Sequence, residues 1–359
     1  MIIRQPSYIA QSPLSVTITG SSLPFPPTPI IPAQAFQIGN SLVFNGRGKW
    51  ASVIDFYGSS ATGVTGLTFS DLEGVTGNFL QTTATTLNNT INASNLVYVG
   101  GNAFSAAGVV LSNAPDLSSL QYVGGAFQLY TSASGTVNFP SLIVAGSISG
   151  TYNIASAVNF PSLQYLFGAF APTISGAGPS INLSSLVYCT GPMSFSAANC
   201  TTLTLPSLGT WKYLGNVFSP TLCSFSQTTV DNILAALAYM DGTNGTTSFT
   251  GTCTITSFSS APSNAGSTTR AGSSFVGSGT TCTVTWPSHG YSTGDVLRIS
   301  GITTLTNANK YAVITVQDSG HFTYTITSQS ATGAGTATVV KAATNAKTLV
   351  TRGVTLTTN

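Results

Sequence analysis

Charge is what this sequence has least of. Ten Lys and Arg and eight Asp and Glu among 359 residues make 5% charged, against roughly 25% in an ordinary globular chain. The net charge is +2, and no basic cluster forms; Arg47 with Lys49 is the densest basic spot. Nucleic-acid binding needs a concentrated basic footprint to neutralise phosphates, so that class is set aside. Carboxylates are as sparse. From Gly74 to Trp211 the only charged residue is Asp116, whereas polysaccharide cleavage needs two carboxylates at a defined separation. Asp71 and Glu73 lie two residues apart on one face, with no second wall, and read as a solvated turn.

Histidine is nearly absent too. His289 lies in a Ser-His-Gly-Tyr turn and could be imagined with Asp295 as a charge-relay pair. No GxSxG nucleophile elbow accompanies it, so turn-stabilising hydrogen bonds are the expectation. His289, His321 and Asp318 lack a recognised metal-ligand spacing. The five cysteines, Cys189, Cys200, Cys223, Cys253 and Cys282, form no CxxC pair. They read as reduced buried thiols, with a disulfide between neighbouring structural units as the sharper alternative. No run of eighteen apolar residues predicts a membrane span. The first residues, Met1 to Pro13, lack the apolar core of a secretory signal. The expectation is a chain that is not an enzyme, with no catalytic, metal or cofactor residues.

What is present is apolar and repetitive. Hydrophobic residues make up 42% and aromatics 10%, with 37 glycines, enough for a packed core and too much for disorder. A leucine recurs at Leu72, Leu96, Leu120, Leu142, Leu163, Leu186 and Leu208, every 21 to 24 residues. Its context recurs as Asn95-Leu-Val-Tyr-Val-Gly-Gly101, Ser119-Leu-Gln-Tyr-Val-Gly-Gly125, Ser141-Leu-Ile-Val-Ala-Gly146, Ser162-Leu-Gln-Tyr-Leu-Phe-Gly168 and Ser185-Leu-Val-Tyr-Cys-Thr-Gly191. A period in the twenties is the signature of a solenoid, whose units bury their faces only by stacking. The predicted fold is mainly β: a parallel β-solenoid, leucine-rich-repeat-like, with rungs of about 22 residues. At about 4.8 Å per rung, seven rungs span roughly 34 Å.

Strict alternation points Leu96 and Tyr98 to one side and Val97 and Val99 to the other. On that reading Tyr98, Tyr122, Tyr165 and Tyr188, with Val144 in the gap, form a core column beside the leucines. Aromatic faces also stack on sugars, which is the competing reading. The opposite columns, Val97/Val99, Gln121/Val123, Ile143/Ala145, Gln164/Leu166, Val187/Cys189 and Gly209/Trp211, are uncharged and largely apolar. A sheet apolar on both faces has both covered, so the expected partner is a flank of this chain or a second copy. A homo-oligomer, a trimer among the options, follows. The glycine closing each rung is expected to supply φ values that other residues disfavour.

The expected organisation has five parts. Residues 1–60 form a Pro-rich attachment arm, with Pro24, Pro26, Pro27, Pro29 and Pro32 in nine residues, and with strands at Ser15–Thr19 and Ser41–Phe44. The solenoid occupies 61–225. Residues 226–267 hold a capping helix over 229–242, with Val230, Ile233, Leu234, Leu237 and Met240 on one face, a Thr228 or Thr229 cap, Asp231 in the first turn and Gly242 at its end. A small antiparallel β barrel or sandwich follows over 268–341, with strands near 281–286, 295–300, 311–316, 322–326 and 336–340. A helix from Asn345 to Arg352 and a strand from Val354 close the chain over 342–359.

Val230-Asp-Asn-Ile-Leu-Ala-Ala-Leu, Asp241-Gly-Thr-Asn-Gly, Ala261-Pro-Ser-Asn-Ala-Gly266 and Ala346-Lys-Thr-Leu-Val-Thr-Arg-Gly-Val-Thr-Leu-Thr-Thr358 resemble the C-terminal region of leucine-rich-repeat-like proteins of bacteriophage tails and fibres. In those proteins the last two pieces run on directly, so the small β domain looks like an insertion. Its Ser288-His-Gly-Tyr-Ser-Thr-Gly-Asp295, followed by Val-Leu-Arg-Ile-Ser-Gly301, is similar to a β module of phage structural proteins. The repeats themselves lack the Asn ladder of standard leucine-rich repeats. The resemblance implies a virion structural protein of fibre, tail or head decoration. It also implies contacts to other virion proteins through the N-terminal arm and a host glycan or protein as receptor. A bacterial cell-surface adhesin or surface-layer protein is the second expectation, and a depolymerase on a solenoid scaffold the third. Neither nucleic acid nor membrane insertion is expected.

Overall fold

Leu96, Leu120, Leu142, Leu163 and Leu186 stack in the interior with no exposed surface. The computed structural model describes residues 66–69, 71–82, 86–87, 90–104, 110–111, 113–131, 135–153, 156–176, 178–240, 249, 251–255, 264–269, 274–333, 337–342 and 344–358, with the strands within 15–57 named below. The fold is mainly β, and its body is a parallel β-solenoid. Trp50–Ala51, Gly74–Val75, Tyr98–Val99, Tyr122–Thr131, Val144–Asn153, Tyr165–Leu166, Tyr188–Cys189 and Tyr213–Leu214 pair side by side, each parallel to the next. A second column runs Phe79, Ala103, Phe127, Ile148, Phe170, Met193, Phe218, every member fully buried. A third is the parallel sheet of Thr136–Asn138, Ala157–Asn159, Ser180–Asn182 and Thr202–Thr204. Phe139 and Phe160 stack between the columns at 5.3 Å, and Phe127 meets Phe139 edge-on at 4.7 Å. Each wholly buried Leu or Phe contributes about 1.5–3 kcal/mol. The repeat therefore holds together by like side chains filling the same position in successive rungs.

Strict alternation fails at one place in every rung, and this corrects the expected side-chain directions. Leu96 and Val99 are both fully buried, while Val97 between them is 36% exposed. The cause is a doubled hydrogen bond. The N–H groups of Val97 and Tyr98 both donate to the Glu73 carbonyl, at 2.8 and 3.2 Å. The same pairing recurs for Gln121/Tyr122 on Val97, Ile143/Val144 on Gln121, Gln164/Tyr165 on Ile143, and Val187/Tyr188 on Gln164. The two N–H groups share one carbonyl at a bend, with Leu96 and Val97 outside the strand that starts at Tyr98, so the period of two does not run through this position although the rungs pair one-to-one. The valine column (Val99, Val123, Ala145, Leu166, Cys189) is therefore interior. The tyrosine column is on the outer face.

The last rung also differs. Leu208 is 58% exposed in the turn closed by Thr210 N–H on Ser207 O. Trp211 takes the anchor place instead, buried, because Tyr213 pairs with Tyr188 and Leu214 with Cys189. The rung-closing glycines serve close approach rather than unusual dihedrals. A Cβ on Gly124 would lie 2.3 Å from Gly100 O, and none of Gly100, Gly124 and Gly146 has a positive φ.

Residues Ser41–Asn45, Trp50–Ala51 and Val53–Tyr57, placed outside the repeat by sequence, pair in parallel with Gly66–Thr68, Gly74–Val75 and Phe79–Thr82. They form a rung without the leucine pattern. Ser15–Thr19 lies antiparallel on Val53–Tyr57, and Gln34–Ile38 on Ser41–Asn45. The proline cluster of residues 24–32 falls outside the described residues.

At the other end, helix α1 (Gln227–Ala238) begins at Ser226, whose hydroxyl accepts from Thr229 N–H at 3.2 Å. The cap is thus Ser226, not Thr228 or Thr229, and Asp231 falls beyond the first turn. Val230, Ile233, Leu234, Leu237 and Met240 are buried as the 3.6-residue period requires. Gly242 lies outside the described residues. The helix packs on Thr202–Thr204, the edge of the third column, with Thr229 Oγ1 donating to Thr201 O. Beyond it, Val217–Phe218, Thr252–Ile255 and Thr355–Thr358 continue the second column in parallel.

Between the last two strands the chain leaves and returns. Asn264–Thr269 and Thr338–Ala342 lie antiparallel at the base of a module with a four-stranded and a five-stranded antiparallel sheet and its own core around Trp286, Phe322 and Val339. Strands at Asn264–Thr269, Ser274–Ser278 and Ala331–Gly333 join the five expected from the sequence. The expected 311–316 strand divides at Ile314 into Tyr311–Val313 and Thr315–Asp318. Helix α2 (Thr344–Thr351) then leads to the final strand, and Arg352 Nη2 donates to Ala238 O at 2.9 Å, capping α1.

Candidate functional site

The outer face of the first column carries exposed aromatic residues at rung spacing. Tyr122, Tyr188 and Tyr213 are 36%, 41% and 42% exposed, and Phe167 is 61% exposed. Strict alternation placed Tyr122 and Tyr188 in the core; the bend before each tyrosine turns them outward, and Tyr213, outside the expected column, joins them. Tyr98 and Tyr122 stack at 4.9 Å with planes 5° apart, and Tyr165 and Tyr188 at 5.9 Å and 9°. Rungs repeat at about 4.8 Å, so equal rotamers in successive rungs bring ring faces together. The column reads Tyr98, Tyr122, Val144, Tyr165, Tyr188, Tyr213 in register. Val144 is the one member without a ring.

The neighbouring column, one residue earlier, reads Val97, Gln121, Ile143, Gln164, Val187, Lys212, linked by the doubled hydrogen bonds. Gln121 and Gln164 thus flank Ile143 as Tyr122 and Tyr165 flank Val144. Neither amide has a partner among the described residues. The alternation argument had separated the Gln and Tyr columns onto opposite faces, and Phe167 carried no signal beyond one extra aromatic in its rung.

The polar residues singled out by sequence do not converge on a reaction centre. Asp71 is exposed and Glu73 half-buried. Asp116 accepts from Ser118 N–H at 3.1 Å, an ordinary turn contact. His289 accepts at Nδ1 from Tyr291 N–H, 2.9 Å, and its Nε2 faces Asp318 O at 2.9 Å. Those partners leave His289 no ring nitrogen for Asp295, which instead meets Lys341 at 2.9 Å and Ser292 N–H at 3.0 Å. Burial alone would raise the Asp295 pKa, but the Ser292 N–H and the Lys341 ammonium hold it below the usual carboxylate range. His321 Nδ1 pairs with the Asp318 carboxylate at 2.8 Å. Among the described residues no group of three His, Cys, Asp or Glu side chains is placed to hold a metal.

All five cysteines are free and buried, so the disulfide alternative falls. Cys200 and Cys223, in successive rungs, share a side-chain hydrogen bond. Burial pushes the Cys189 thiol up to about 12. A shallow pocket of about 110 Å³ opens where the inserted module meets the last strand, lined by Arg298, Lys310, Tyr311 and Thr358. No described helix is long and apolar enough to cross a membrane.

No known family, no curated protein and no solved structure matches this chain. The outer tyrosine face is the candidate site on geometry alone.

Proposed function

We propose that this chain is a non-enzymatic structural subunit of a phage-type particle, in a fibre, tail or head decoration, which contacts the host surface through its tyrosine face. One observation carries the contact role: a sheet face on which Tyr122, Tyr188 and Tyr213 are exposed in one column, with Phe167 exposed as well and Lys212 the one charge in the adjoining column from Val97. Exposed aromatic patches rimmed by polar groups mark interaction surfaces, and the stacked scaffold beneath holds such rings at fixed spacing. The phage setting is suggested by the C-terminal resemblance over Val230–Leu237 and Ala346–Thr358. Assembly as a homo-oligomer belongs to the same reading.

The test is antibody labelling of particles purified from the source culture, with light scattering of the purified chain. Label on particles and an oligomer in solution support the reading. Label confined to cell envelopes moves the chain to the adhesin class, and absence from particles overturns the virion role.

A further inference from the structure

We infer that the gap at Val144 in the tyrosine ladder is a binding slot for one ring of a neutral hexose polymer, inserted between the faces of Tyr122 and Tyr165. This rests on the contact role proposed above and names its ligand class.

The spacing comes first. Tyr122 and Tyr165 are two rungs apart, with Val144 paired to both, a separation of about 9.6 Å at 4.8 Å per rung. Two other pairs of the ladder stack across one rung, Tyr98 with Tyr122 at 4.9 Å and Tyr165 with Tyr188 at 5.9 Å. The gap therefore accepts one further ring level. Two van der Waals contacts of about 4 Å each occupy roughly 8 Å of it. The remaining ~1.6 Å suits a puckered saturated ring, whose atoms lie off one plane, better than a flat arene.

The chemistry of the walls agrees. A pyranose presents C–H faces that pack on aromatic rings and equatorial hydroxyls that need planar hydrogen-bonding partners. Tyr122 and Tyr165 offer the rings, and Ile143 and Val144 form the floor of the same rung. Gln121 and Gln164, one column away on the flanking rungs, each offer an amide that both donates and accepts and that has no partner among the described residues. Phe167, two residues after Tyr165, is 61% exposed in the same rung. Charge selects the class. No Lys, Arg, Asp or Glu occurs between Asp116 and Lys212, so an anionic sugar gains nothing here. The polymer axis runs parallel to the rungs at the level of Val144, and one of its rings enters the slot.

The experiment is calorimetric and NMR titration of the full chain with maltohexaose, cellohexaose and mannohexaose. Val144→Tyr completes the ladder with the ring that its five other members carry, so it fills the slot without disturbing the core. Wild-type protein is expected to bind at least one hexaose with a Kd of roughly millimolar or tighter, and Val144→Tyr to lose at least tenfold. Tyr188→Val opens a second gap between Tyr165 and Tyr213 and is expected to raise the stoichiometry from one to two. Tyr165→Ser removes a wall and tests the same slot should Val144→Tyr fail to fold. No binding of any hexaose, or equal binding by Val144→Tyr, overturns the slot. Particles that carry the chain while no hexaose binds leave the virion reading standing and sink the slot; hexaose binding lost in Val144→Tyr, with particles lacking the chain, does the reverse.

Discussion

Asn102 Oδ1 accepts a hydrogen bond from the Ala126 N–H, one rung on, at 2.7 Å, and Asn78 does the same for Asn102 N–H at 2.8 Å. This two-member asparagine ladder was invisible in the repeat, because Asn78 and Asn102 are followed by Ala126, Ser147 and Ala169 at the corresponding turn. Gly101 and Gly125 make room for it: a Cβ on either would lie 2.3 and 2.2 Å from the asparagine oxygen below. Asn102→Ala leaves the Ala126 N–H without that acceptor at a half-buried site. The expected loss is about 1–2 kcal/mol, read as a lower midpoint in urea with an unchanged slope.

The rung-closing glycines set a second expectation. A methyl group at Gly124 would meet the Gly100 carbonyl at 2.3 Å, backbone against backbone, so neither partner can rotate away. Gly124→Ala is expected to destabilise by more than 1 kcal/mol. Gly135, at φ 116° with open space around it, is strained by alanine through its dihedral alone. Thermal melts of the two variants separate close approach from backbone strain: if Gly124→Ala melts with wild type, the inter-rung contact is not what selects glycine.

The Asp295–Lys341 pair predicts a pH dependence. The folded carboxyl lies below its ordinary value, so its contribution is present above the unfolded pKa of about 3.9 and is lost as pH falls through the folded value. Asp295→Asn is expected to cost about 1–2 kcal/mol at neutral pH, a value reduced by the exposure of Lys341, and the difference from wild type should shrink as pH drops below about 4. A gap that stays constant down to pH 2 would count against the pair.

Cys189 and Cys253 have no exposed surface, and burial raises both thiols. The thiolate is the reactive form. Iodoacetamide at pH 8 followed by peptide mass spectrometry should leave both unmodified in the folded chain and label both in guanidinium. Labelling of native Cys189 at the rate of a free thiol would show that the interior column opens readily.

Much of the fold was legible in the order of residues, and so were the tyrosines of the candidate site, but the side they face was not. A leucine every 21 to 24 residues has one economical explanation, stacking, because no single rung can bury its own face. The helix at Gln227–Ala238 was legible from its 3.6-residue period, since Val230, Ile233, Leu234 and Leu237 must share a side. Leu208 misled because it keeps the spacing while Trp211 keeps the register. Tyr98 and its partners were assigned to the core by a rule valid for continuous strands, and the strand there starts at the tyrosine, after the leucine.

Sequence alone, then, determined that the chain repeats, that its rungs are uncharged, and that its helix has one apolar face. These follow from which residues recur and at what period. Tertiary structure decided which side of the rung faces water, because the chain bends where two N–H groups of one rung meet a single carbonyl of the rung before. It also decided that Gln121 and Gln164 stand on the same side as the column of Tyr122, Val144 and Tyr165. Residues more than twenty apart become neighbours only when the rungs hydrogen-bond, and only then does a valine among tyrosines become a slot.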